Sequence, residues 1–350
     1  MIDAETGTVL FSKNPDKRIA PASLAKLMTM AVVFEGLKAG IYRLEDTYPV
    51  SENAWRTGGA PSGTSTMFAA LKSRIALGDL IQGVIVQSAN DGCIIIAEGL
   101  AGSEDAFARL MNERAKAIGL KASVFKNSTG LPAAGQAVTV SDLVQLALHV
   151  QRAYPQFYKY YAQPDFTWNK ITQRNRNPLL AMNIGADGMG TGFTEGSGYA
   201  IVGSVVRDGR RVIAAMSGTA SDRERADEAR KLLDWGMSAF QKTDIFASNE
   251  IVGEVSVYGG AQRTVALKAK SPIAAFTPRD NQELVSARIV YDGPVVAPVE
   301  VGTQIGELRL YVGEMLSQET PLYAAEAVSV GPTHRRAFDA AAELLTGWMR

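Results

Sequence analysis

Tyr199-Ala200-Ile201-Val202-Gly203-Ser204-Val205-Val206, then Asp208-Gly209, then Arg211-Val212-Ile213-Ala214-Ala215-Met216 reads as two β-rich runs joined by a tight turn. An Asp-Gly pair between such runs is a hairpin signal, because both turn positions tolerate positive φ. Working outward, residues 1–14 read as a further strand, turn and strand. Between them the text is mainly helical from about residue 65 to 180, as in Asp105 to Ile118 and Ser141 to Arg152. An apolar run from Leu24 to Phe34 reads as a buried helix that Gly36 ends, and a helix from Asp222 to Phe240 closes this portion. Strands at both ends with helices between imply an α+β domain over 1–245, one antiparallel sheet packed with helices. Short β-rich runs over 246–330, Val252 to Tyr258, Thr264 to Ala269, Leu284 to Tyr291 and Gly306 to Val312, read as a small all-β domain. The tail, 331–350, reads as an amphipathic helix with Phe338, Leu345 and Trp348 on one arc and Arg335, Asp339 and Glu343 on the other.

The 350 residues fit two domains better than one. With 36 Lys+Arg against 36 Asp+Glu, no overall field favours nucleic acid, and none is expected as a partner. Cys93 is the single cysteine, and no Cys or His cluster has metal-ligand spacing, so neither a disulfide nor a metal or other cofactor is expected. No apolar run reaches the roughly 18 residues of a spanning helix. Met1 leads straight into Ile-Asp-Ala-Glu-Thr-Gly without the basic and apolar regions of a signal peptide, which reads as a mature-like start. A cytoplasmic protein beginning at Met1 is the alternative this stretch leaves open.

His149 and His334 are the only histidines, and neither is flanked by a nucleophile motif. A serine enzyme made from this chain therefore needs a lysine base. Ser23-Leu24-Ala25-Lys26 offers one, since residues three apart share a helix face. Ser23 at the helix start meets the unpaired N–H groups that favour an oxyanion, and burial at the root of an apolar helix lowers a lysine pKa. Spacing alone does not distinguish this pair from Ser123 and Lys126, which sit in a turn-rich stretch. Ser88-Ala89-Asn90 falls between the apolar runs Leu80 to Val86 and Cys93 to Ala97, a junction that can project polar groups into a cleft. Helix capping explains Ser88 equally well. The comparable Ser51-Glu52-Asn53 lies in a polar stretch where turn formation suffices. Last comes Asp187-Gly-Met-Gly190-Thr191-Gly192-Phe193, a Gly-rich strand entry that permits close ligand approach and peptide addition along an edge. A plain Gly-rich hairpin loop is its bland alternative.

Ser-x-x-Lys, Ser-x-Asn and a Thr-Gly strand, in that order, resemble the penicillin-binding and β-lactamase superfamily. Ile2-Asp3-Ala4-Glu5-Thr6-Gly7, Ser88-Ala89-Asn90-Asp91, Asn127 to Pro132 and Gln173-Arg174-Asn175 point to its D-alanyl-D-alanine carboxypeptidase branch. The resemblance covers both domains and implies a β-lactamase/transpeptidase-like catalytic fold. It also implies a β-rich second domain holding that fold off the membrane. By this likeness Ser23 attacks the carbonyl between two D-alanines of a peptidoglycan stem peptide and Lys26 takes its proton. Ser88 relays a proton to the leaving amine, and Asn90 orients the substrate amide. The backbone N–H groups of Ser23 and Phe193 form the oxyanion hole, while Thr191 and Arg225 serve the carboxylate end. β-Lactam antibiotics acylate the same serine. The implied location is the periplasm, peripheral on the inner membrane through the C-terminal helix. Packing of that helix on its own β domain is the alternative.

One position departs from the family pattern. Where the family has Lys-Thr-Gly, this chain has Gly190-Thr191-Gly192. Losing that cation removes a charge-assisted contact worth about 1.5–3 kcal/mol, so reduced activity is expected. Two readings follow, a carboxypeptidase with a weakened grip on the substrate carboxylate, or a catalytically weak peptidoglycan- or penicillin-binding protein. A β-lactamase fits less well, because the glutamate motif that drives rapid deacylation in class A enzymes is missing.

Overall fold

A computed structural model describes residues 1–280 and 284–333. Contacts divide it into two units, Met1–Glu5 with Phe11–Met237, and Thr6–Leu10 with the chain from Ser238 on. The first unit is built on a four-stranded sheet in the order Ile2–Asp3, Arg210–Thr219, Gly198–Arg207, Ala186–Thr194. The expected hairpin forms, with Val202 opposite Ala215 and Val205 opposite Val212. Gly209 at its turn takes φ +79° and Asp208 φ +49°, the left-handed geometry that selected Asp-Gly there. Ala186–Thr194 pairs with Gly198–Arg207 alone among the described residues, so it is an edge strand.

Helices Lys26–Lys38, Leu77–Gln87, Asn90–Ala101, Glu104–Ile118, Val140–Ala153 and Asp222–Ser238 belong to this unit. The helix Lys26–Lys38 is central. Leu27, Met28, Met30, Val33 and Phe34 are all buried, so it is apolar around its whole circumference. Sequence sets the helix ends: Ser103 Oγ accepts from Ala106 N at 3.1 Å and Thr139 Oγ1 from Asp142 N at 3.1 Å. Gly102 and Gly119 stop two helices in the left-handed region.

The second unit is all-β. One sheet has six strands in the order Val285–Tyr291, Gln304–Val312, Met315–Ala324, Thr264–Lys268, Gly253–Tyr258, Val295–Val296. Phe240–Phe246 and Ile273–Pro278 form a separate pair. Val255, Val265, Leu267, Leu308, Leu310 and Leu322 make its core.

Several local expectations are corrected. Residues 1–14 form the expected hairpin only at Met1 and Phe11, which exchange backbone hydrogen bonds of 2.9 and 3.4 Å. Only Ile2–Asp3 is strand, paired with Val212 and Ile213, while Val9 N donates to Ser317 O at 2.7 Å. Gly7, at φ +76°, turns the chain toward that second partner. Gly36 does not end its helix, which runs on to Lys38. It is there because a Cβ would stand 2.2 Å from the Tyr42 ring. The helix from Asp222 stops at Ser238, and Phe240 opens a strand instead. Inside the helical stretch Asp165–Trp168 and Ile171–Arg174 form a hairpin, with Asn169 and Lys170 both at positive φ. The C-terminal helix read at 331–350 lies outside the described residues from His334 on.

Candidate active site

The segment that presents Ser23 is a tight helical turn, Ala22–Ala25, leading directly into Lys26–Lys38. Ala22 takes φ +48°, a left-handed value uncommon for a residue with a Cβ. Two neighbours hold that turn. A Cβ on Gly130 would stand 1.7 Å from the Ala22 carbonyl oxygen, and Gly130 itself has φ +83°, so only glycine fits there. On the other side a Cβ on Gly192 would lie 3.1 Å from Ala22 Cβ and 3.2 Å from Pro21 O, which brings the edge strand against the serine turn.

Lys26 Nζ lies 2.9 Å from Ser23 Oγ and donates to Thr129 O at 2.7 Å. The lysine is only 5% exposed, and burial pulls its pKa down to about 8. Cys93 and Asp91 oppose that shift. Burial pushes the Cys93 thiol up to about 12, so it stays neutral near pH 7 and Asp91 is the charge that acts there. The carbonyl that receives Lys26 is fixed from behind. Ser128 Oγ donates to Glu104 Oε1 at 2.6 Å, and Thr29 Oγ1 donates to Ser128 O at 2.7 Å.

Ser88 is the left-handed end of the helix Leu77–Gln87, φ +56°, and Asn90 begins the next helix. Asp91 anchors this junction, accepting from Thr66 Oγ1, Met67 N and Ala69 N at 2.6, 3.0 and 3.0 Å. Asn90 Nδ2 donates to Thr64 Oγ1 at 2.9 Å, while its buried Oδ1 has no partner. A buried acceptor left unpaired costs about 1–3 kcal/mol, which suits a group that completes its hydrogen bonding when a ligand arrives.

These elements enclose an open cleft of about 380 Å³ lined by Ser23, Lys26, Ser88, Gly190 and Thr191, five of the nine residues singled out in the sequence. Asn90, Gly192, Phe193 and Arg225 stand outside its lining. Phe193 is half exposed with its ring 4.4 Å from that of Tyr199. Arg225 is buried, ion-paired with Asp222 and set over the Tyr199 ring at 5.6 Å. A Cβ on Gly190 meets nothing within 4 Å, so no crowding demands a glycine there.

The sequence reading gave no site role to Tyr161, Asn175, Arg176 or Asn177, which also line the cleft, although Asn175 stood in the quoted Gln173-Arg174-Asn175. Their signal lay in Asn175-Arg176-Asn177, a polar triplet after the unrecognised hairpin. The decoys resolve as local structure. Ser123 Oγ donates to Asp142 Oδ2 at 2.7 Å, and Lys126 is exposed. Ser51 Oγ accepts from Ala54 N at 2.9 Å. His149 lies 3.3 Å from Tyr154 Oη on a helix other than those that build the cleft.

The family model described as D-alanyl-D-alanine carboxypeptidase matches residues 1–221, and that of the penicillin-binding protein 5 C-terminal domain matches 240–330. D-alanyl-D-alanine carboxypeptidase DacC of Escherichia coli is 35% identical over 342 residues, 97% of this chain and 86% of the relative. DacF of Bacillus subtilis is 31% identical over 93% of this chain and 84% of its own length. The crystal structure of penicillin binding protein 5 from Haemophilus influenzae superposes with a TM-score of 0.78 at 33% identity, covering 94% of this chain and 96% of that one. A serine and a buried lysine at one cleft, on a helical and sheet scaffold followed by an all-β unit, thus carry the family's sequence along both units, and the chain belongs to the D-alanyl-D-alanine carboxypeptidase family of serine peptidases.

Proposed function

We propose that this protein removes the terminal D-alanine from peptidoglycan stem pentapeptides through an acyl-enzyme on Ser23. The observation that carries the reading is the buried Lys26 Nζ, 2.9 Å from Ser23 Oγ, with its pKa lowered to about 8. In the neutral fraction Lys26 accepts the Ser23 proton as Oγ attacks the D-alanyl carbonyl carbon. The oxyanion that forms is held by the backbone N–H groups of Ser23 and Phe193. Ser88 passes a proton to the departing D-alanine amine, and Asn90 Oδ1 accepts the substrate amide N–H. Water then attacks the ester and Lys26 is restored. β-Lactams acylate Ser23 by the same route and leave slowly.

Penicillin labelling tests this directly. Ser23→Ala is expected to abolish covalent labelling and Ser123→Ala to leave it intact; equal labelling of wild type and Ser23→Ala sinks the assignment. Gly190 favours a second reading, a weak enzyme that chiefly binds peptidoglycan. Labelling without measurable release of D-alanine is the outcome that supports it. The setting of either reading is the periplasm, with the apolar arc of residues 333–350 lying on the inner-membrane surface. Co-sedimentation with anionic vesicles that persists after deletion of 333–350 refutes that anchor.

A further inference from the structure

Asn90 sits at a junction wrapped by a segment that precedes it in the chain. Gly58 lies so close that a Cβ there would stand 2.4 Å from Asp91 N and 2.6 Å from Asn90 C, and Asn90 N donates to Ser65 O at 2.8 Å. Between these two contacts Ser62 and Thr64 make a chain of hydroxyls that ends on the Asn90 side chain. Ser62 Oγ donates to Gly59 O at 2.7 Å, Ser62 Oγ and Thr64 Oγ1 lie 2.8 Å apart, and Asn90 Nδ2 donates to Thr64 Oγ1 at 2.9 Å.

The direction of that chain follows from which oxygens carry a proton. A carbonyl oxygen only accepts, so the single Ser62 hydroxyl proton goes to Gly59 O. Ser62 Oγ is then left to accept, from Thr64 N at 3.2 Å and from the Thr64 hydroxyl. Thr64 has thereby given away its proton and offers Asn90 a lone pair. Only the NH2 end of the Asn90 amide can meet it. Turned over, the amide would set Oδ1 against an oxygen with no proton left to donate. The Gly59 carbonyl, three hydrogen bonds away, thus decides which end of the amide faces Thr64. The end turned away is the buried Oδ1, which has no partner.

We propose that Ser62 and Thr64 are positioning residues that lock the Asn90 amide with its acceptor free for the substrate. The proposal rests on the peptidase reading above, in which Asn90 Oδ1 accepts the substrate amide N–H. An amide able to turn would present its own N–H to that N–H, and two donors facing each other in a desolvated site are both left unpaired. Thr64 is exposed while Asn90 is buried, so the lock can be altered from the surface without cutting into the core.

The test uses the full chain and two substrates, an N-acylated tripeptide ending in D-alanyl-D-alanine and the same chain with an ester oxygen in place of the penultimate N–H. Thr64→Val keeps the side-chain shape and removes the hydroxyl. It is expected to lower kcat/KM for the peptide by about 10- to 100-fold and for the ester analogue, which has no N–H to give, by less than about threefold. Thr64→Ser restores the hydroxyl and should stay within about threefold of the unaltered chain on both. Ser62→Ala frees the Thr64 proton, lets the amide turn, and should cost the peptide about 3- to 10-fold. Equal losses on peptide and ester analogue, or a Thr64→Ser as damaging as Thr64→Val, overturn the proposal. A second measurement needs no turnover. In 15N-labelled Ser23→Ala protein the Asn90 side-chain NH2 should exchange slowly, and adding Thr64→Val or Ser62→Ala should speed that exchange while Thr64→Ser should not. Exchange indifferent to all three changes overturns the lock. A failed peptidase reading shows instead as penicillin labelling that survives Ser23→Ala, with the exchange contrast intact.

Discussion

At Lys26 the cost of burial and the needs of catalysis point the same way. Desolvation penalises the ammonium, and the lysine has its two contacts, to Ser23 Oγ and Thr129 O, whichever way its proton count falls. Because the base form is the deprotonated one, the acylation rate should rise with pH and level off above about 8, the pKa reached by burial. Stopped-flow penicillin acylation between pH 6 and 10 measures it. A rate that falls over this range contradicts the base role. Lys26→Ala should reduce acylation by about 10²- to 10⁴-fold at pH 8, since no histidine lines the cleft among the described residues. At Gly190 the opposite change is expected. Gly190→Lys should raise kcat/KM for a peptide ending in D-alanyl-D-alanine by at least an order of magnitude, measured as D-alanine release.

Along the edge strand Ala186–Thr194 three glycines at alternate positions answer to different constraints. Gly190 faces open space, whereas Gly192 lies against Ala22 and Pro21, and a Cβ on Gly188 would stand 2.8 Å from the Tyr158 hydroxyl. Gly190→Ala should therefore change stability by no more than about 0.5 kcal/mol in urea unfolding. Gly192→Ala should cost about 1–2 kcal/mol and slow acylation, since the serine turn must move to admit the methyl group. Gly130→Ala combines a left-handed φ with a clash on the Ala22 carbonyl and should cost about 3 kcal/mol or more. If Gly190→Ala proves as damaging as Gly192→Ala, the described register of this strand against the serine turn is wrong.

On the scale of the whole molecule, the chain gives five residues to the second unit before it has built the first. Within that unit Thr8 is fully buried, its Oγ1 donating to Gln318 Oε1 at 3.0 Å and accepting from Phe276 N at 3.2 Å. Ser317 Oγ donates to Val9 O at 2.9 Å. Thr8→Val keeps the shape and strips these partners, so it should destabilise the all-β unit by about 1–3 kcal/mol. Penicillin labelling should be unchanged, because the cleft is built wholly from the other unit. Differential scanning calorimetry paired with a labelling time course checks both halves of that expectation.

The sequence by itself determined the fold class and the Asp208-Gly209 hairpin and offered the Ser23 and Lys26 pair, because those depend on near neighbours: a two-residue turn, a helical spacing, an apolar run. It also placed Ser88, Gly190 and Thr191 by motif. What only the tertiary structure decided came from distant segments meeting. The Lys26 ammonium finds Thr129 O, 103 positions away. Val9 joins a strand 308 positions along the chain. Arg176 comes to line the same cleft as Ser23, its N–H bonded to Val86 O. No local pattern encodes such meetings. They follow from which buried surfaces and hydrogen-bonding groups satisfy one another once the chain has collapsed.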